Sequence, residues 1–94
     1  MKFTRSYLSR LEDIIGEGGY VVRYERGSFK SGYCILKETR LVLINNFLPL
    51  EGRIGCLLDL LHQLPLDVNQ MTDKSRKLFE EIQKAADPID LQEP

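Results

Sequence analysis

Leu41-Val42-Leu43-Ile44-Asn45-Asn46 is the stretch on which the fold turns. Four apolar residues in a row, two of them β-branched, run into a pair of asparagines suited to a turn. A run that is apolar at every position suits a strand covered on both faces. Its predicted place is therefore the centre of a sheet.

Working outward toward the N-terminus, Glu38-Thr39-Arg40 is a charged turn of hairpin length, and Tyr33-Cys34-Ile35-Leu36-Lys37 reads as a second strand. Tyr20-Val21-Val22-Arg23-Tyr24 reads as another. Between these two, Gly27-Ser28-Phe29-Lys30-Ser31-Gly32 is a loop bracketed by glycines. The connections are too short for crossover helices, so the predicted topology is an antiparallel meander.

Helical patterns flank the strands. Tyr7, Leu8, Leu11, Ile14 and Ile15 form one apolar stripe, with Thr4 as cap and Gly16, Gly18 and Gly19 as the stop. This predicts a helix over 4–16. Ile54, Leu57, Leu58, Leu61 and Leu64 predict a second over 51–64, closed by Pro65. A third begins after Thr72 or Asp73, turns Leu78, Phe79, Ile82, Ala85 and Ala86 inward, and ends at Asp87-Pro88. The expected fold is α+β: an N-terminal helix, a three-stranded antiparallel sheet, and two C-terminal helices packed on one face. One domain is expected over 1–87, with 88–94 as a flexible acidic tail.

Composition is consistent with this. The 94 residues are 43% hydrophobic and 29% charged with net charge −1, a globular balance. No apolar run is long enough for a bilayer span, and the N-terminus lacks the apolar core of a signal peptide. Two cysteines, Cys34 and Cys56, are too few for a disulfide scaffold and read as reduced core thiols. A cytoplasmic location, of bacterial type, is the expectation. Residues 1–46 carry eight bases against five acids, a net of +3. Residues 47–94 carry five bases against nine acids, a net of −4. The two halves are expected to attract each other within the fold, and +3 is too small for a nucleic-acid footprint.

Few residues carry chemistry. The glycines of 27–32 have the spacing of a phosphate-binding loop, but Gly32 is followed by Tyr33-Cys34 and a strand instead of Lys-Ser/Thr and a helix. The loop reads as a turn whose Arg26, Phe29 and Lys30 offer a contact point for a partner. Tyr20, Tyr24 and Tyr33 lie near Arg23, Arg26 and Lys30, a mixture that can stack single-stranded bases. Ribonucleoprotein motifs are missing, so the tyrosines read as strand formers. His62 is the single histidine of the chain and sits near a helix C-terminus, where imidazolium suits the dipole. Cys56 is six residues from His62, almost two turns away on another face, which argues against a local dyad.

Leu43-Ile44-Asn45-Asn46 followed by Arg53-Ile54-Gly55-Cys56-Leu57-Leu58-Asp59-Leu60-Leu61-His62 resembles the core of the ImmA/IrrE-like minimal zinc metallopeptidases. That family has a hydrophobic strand ending in Ile-Asn, a short loop, and a helix bearing Arg-Phe-Thr-x-Ala-His-Glu-x-x-His. The resemblance covers residues 5–64 in order of elements. It gives Arg53 the arginine place, Leu58 that of the first His, Asp59 that of the Glu and His62 that of the second His. Two His at i and i+4 grip Zn²⁺ while the Glu acts as general base. Leucine is no ligand, and a catalytic zinc needs three protein ligands. The resemblance thus implies a degenerate zincin-like scaffold on which His62 and Asp59 are the weak remnants of a metal site. The expected function is that of a non-catalytic module for protein interaction or regulation, with no cofactor, an unidentified protein partner, and neither nucleic acid nor membrane. The alternatives are a homo-oligomeric binding module, such as a homodimer, and a metal-dependent hydrolase using His62 and Asp59.

Overall fold

The computed structural model describes residues 3–26 and 32–92, and only the backbone of 86–92. The elements are α1 (Arg5–Glu17), β1 (Val21–Glu25), β2 (Tyr33–Leu36), β3 (Leu41–Asn45), α2 (Leu50–Leu61), a single 3₁₀ turn (Val68–Gln70) and α3 (Asp73–Gln92). The α+β class holds, with three helices and a three-stranded sheet among the described residues.

The sheet is mixed, not an antiparallel meander. Its order is β1-β3-β2, with β1 parallel to β3 and β2 antiparallel to it. The central place predicted for 41–46 is right, and it is incompatible with a meander, which would centre β2. Strand β2 lies on the far side of β3 from β1, two strand spacings or about 10 Å away. Strand β2 itself lies, in chain order, between the two parallel strands. The end of β3 is tied to both neighbours: Asn46 N–H donates to Glu25 O and Asn45 N–H to Gly32 O, each at 2.8 Å.

Strand alternation separates the two faces. Val22-Val42-Ile35 and Tyr24-Ile44-Tyr33 form two rows facing the helices. Val42 and Ile44 are fully buried there against Leu11, Ile14, Ile15, Ile54, Leu57 and Leu60. The opposite rows, Val21-Leu41-Leu36 and Arg23-Leu43-Cys34, lie outside that core. Burial of β3 on its second face is therefore only partial.

Helix α1 follows its predicted stripe, with Thr4 Oγ1 accepting from the Tyr7 amide at 3.1 Å. The left-handed residue that ends it is Gly19, at φ +110°. Both α1 and α2 meet the sheet, whereas α3 packs mainly on α1 and α2. This corrects the expected pair of C-terminal helices on one sheet face: the wide apolar stripe of α1 competes for the sheet and displaces α3 to a second helical layer. Helix α3 also runs past Pro88 to Gln92. Proline's fixed φ is compatible with a helix, but its ring removes one backbone hydrogen bond and crowds the carbonyl four residues back, so the last turns of α3 carry that cost. Ala85, expected inward, is exposed.

Candidate functional site

Helix α2 presents Gly52, Gly55, Cys56 and Asp59 along one face, the i, i+3, i+4, i+7 spacing of a helical stripe. These residues, with Tyr33, Leu48, Leu58 and His62, line an open cleft of about 560 Å³. The two remnant residues of the sequence reading, His62 and Asp59, are thus brought to one concavity, and Leu58 stands beside them.

The polar end of the cleft is a three-residue network. The Tyr33 hydroxyl donates to Asp59 Oδ2 at 2.6 Å. Gln63 Nε2 donates to the same hydroxyl at 2.6 Å and to Asp59 Oδ2 at 3.3 Å. The hydrogen bond to Asp59, with burial second, pushes the Tyr33 phenol above its ordinary range. Burial, and then the Asp59 charge, pushes the Cys56 thiol up as well. A thiol held in its protonated form is a poor nucleophile and a poor metal ligand. Cys56 and His62 line the same cleft despite their spacing, but the thiol is not activated.

Gly32 is needed where it stands. Its φ is +89°, and a Cβ there would meet Cys56 Sγ and Leu48 Cδ1, each at 3.1 Å. That approach sets Tyr33, the next residue, over Asp59.

The donor set does not fit a catalytic zinc. Among the described residues no group of three His, Cys, Asp or Glu side chains is placed to hold a metal ion. Leu58 is half-buried in the place the resemblance gives to a histidine. His62 is the exposed C-cap residue of α2, which closes at Leu61, three residues before the predicted 64. The closure is tight: the amides of His62 and Gln63 donate three residues back, to Asp59 O and Leu60 O.

Arg53, in the arginine place, has a structural task. Its guanidinium donates to Leu48 O and Asn46 O, both at 2.9 Å, and lies 5.0 Å from the centre of the Tyr24 ring. It thereby locks the link between β3 and α2. The Tyr24 hydroxyl in turn donates to Glu12 on α1. Tyr24 and Tyr33 both lie in the sheet rows that face the helices, and Tyr20 is buried.

Of the predicted contact loop, Phe29 and Lys30 lie outside the described residues. Arg26 stacks on Phe47 at 5.1 Å, and Phe47 is 70% exposed. Sequence reasoning missed Phe47. Its signal is an aromatic set between Asn45-Asn46 and Leu48-Pro49, where turn chemistry surrounds a residue too apolar for a turn.

No protein-family model, no curated protein and no solved structure matches the chain.

Proposed function

We propose that this protein is a non-catalytic interaction module on a degenerate zincin-like scaffold, working by contact with a protein partner. The observation that carries the reading is the engagement of Asp59. A general base must meet a metal-bound water, yet the Asp59 carboxylate is held by the Tyr33 hydroxyl and Gln63. Leu58 beside it supplies no metal donor, and the Cys56 thiol is pushed away from ionisation. What the surface offers instead is an aromatic and basic corner, Phe47 stacked with Arg26. Aromatic and arginine side chains are the commonest anchors of protein interfaces.

The test is hydrolysis of an unfolded protein substrate and of a peptide library, with and without added Zn²⁺. The expected result is no turnover above that of a His62→Ala variant. Zinc-dependent turnover that His62→Ala abolishes would overturn the reading and restore the hydrolase alternative.

A further inference from the structure

The order β1-β3-β2 leaves β1 at a sheet edge. Its hydrogen-bonding phase is fixed by two contacts: the Val21 amide donates to Arg40 O at 2.9 Å, and Glu25 O accepts from Asn46 at 2.8 Å. Odd-numbered residues of β1 therefore face β3 with their amides and carbonyls. Those of Val22 and Tyr24 point out of the edge, where they form a template for another strand.

The side chains flanking that template are charged and self-complementary. Arg23 and Glu25 are exposed on the same face of β1, two residues apart. Among the described residues neither has an ion-pair partner. The other edge strand, β2, is one residue shorter and carries no charge over Tyr33–Leu36.

We propose that two copies of this chain pair antiparallel along the β1 edges, centred on Tyr24, and join their sheets into one of six strands. A two-fold axis requires a self-complementary patch. Centring on Tyr24 sets Tyr24 opposite Tyr24 as a hydrogen-bonded pair and Arg23 opposite Glu25 of the second copy, twice. Those charged pairs fall at non-hydrogen-bonded positions, where side chains come closest. Shifting the centre to Arg23 keeps the backbone bonds possible but sets Arg23 against Arg23. Charge thus selects the register that the backbone alone leaves open. Five-residue edges bury less than the roughly 1,200 Å² of a stable interface, so the dimer is weak and salt-sensitive. The pairing uses no residue of the α2 cleft, so zinc chemistry found there would leave it standing.

Sedimentation equilibrium up to about 1 mM protein at low salt tests it. The wild type is expected to dimerise. Arg23→Glu and Glu25→Arg are each expected to weaken the dimer about tenfold or more, because each reversal places like charges opposite one another twice. Both residues are exposed, and circular dichroism checks that the variants fold. Mixing the two single variants is expected to give a heterodimer, since their reversed charges match across the axis, and the double reversal is expected to restore self-association. A wild type that stays monomeric at about 1 mM would overturn the proposal. So would a dimer indifferent to both reversals.

Discussion

Tyr33 and Asp59, 26 residues apart, are joined by a 2.6 Å hydrogen bond that ties the start of β2 to the third turn of α2. The bond occupies a carboxylate that lines the cleft together with His62. It also makes the phenol an indicator of that carboxylate's charge.

Ionising Tyr33 would break its donation to Asp59 and set two anions side by side, so its phenol lies above the ordinary 10.0. Asp59→Asn is expected to move the Tyr33 titration down toward 10.0, as read from its ring resonances by NMR. An unmoved titration would contradict the pairing. The raised folded value means that the folded state holds its proton longer. The associated stability is complete below the ordinary value and is lost as pH climbs through the folded one. Because the pair is exposed, Tyr33→Phe should cost about 1 kcal/mol or less at neutral pH.

Glu17 joins the end of α1 to the start of α3. Its Oε1 accepts from the Thr72 amide at 2.9 Å and from the Thr72 hydroxyl at 3.2 Å, while Thr72 Oγ1 caps the Ser75 amide at 3.2 Å. The amide bond holds the carboxyl below its ordinary 4.5. A depressed carboxylate contributes stability above its unfolded value, and that stability is lost as pH falls through the folded one. Thermal midpoints are therefore expected to drop on acidification below 4.5. Glu17→Gln should make that drop shallower. Equal slopes for the two proteins would rule out this link as a contributor.

Two glycines should respond in opposite directions to alanine. A Cβ at Gly18 would lie 2.8 Å from Leu66 Cβ and 3.1 Å from Ile14 O, so Gly18→Ala is expected to cost about 1–3 kcal/mol. At Gly55, inside α2, a Cβ meets nothing within 4 Å. Gly55→Ala is expected to stabilise by about 0.5–1 kcal/mol through helix propensity. Urea unfolding of both variants checks the pair. Stabilisation by Gly18→Ala would show that the chain there has room that this packing denies.

Local chemistry made much of the fold legible. Thr4 and the stripe from Leu8 to Ile15 define α1, and the unbroken run Leu41–Ile44 places β3 at the centre. Strand pairing was not legible, because neither edge strand records its neighbour in its own residues. Pro88 misled because a lost hydrogen bond and a ring clash usually end a helix, whereas α3 runs through it to Gln92. At the cleft, residue types pointed to Asp59 and His62, and the fold did bring them together. The contacts that decide the chemistry of Asp59 come from Tyr33, on another element, and from Gln63, one turn along, whose side chain a motif comparison passes over.

Zinc stoichiometry decides whether the α2 cleft holds a metal. The protein would be purified, dialysed against excess Zn²⁺ and then against metal-free buffer, and its metal measured by mass spectrometry. The expected result is well under one equivalent, the same value for His62→Ala, and a melting temperature unchanged by chelator. One equivalent of zinc retained by the wild type and lost in His62→Ala would contradict it.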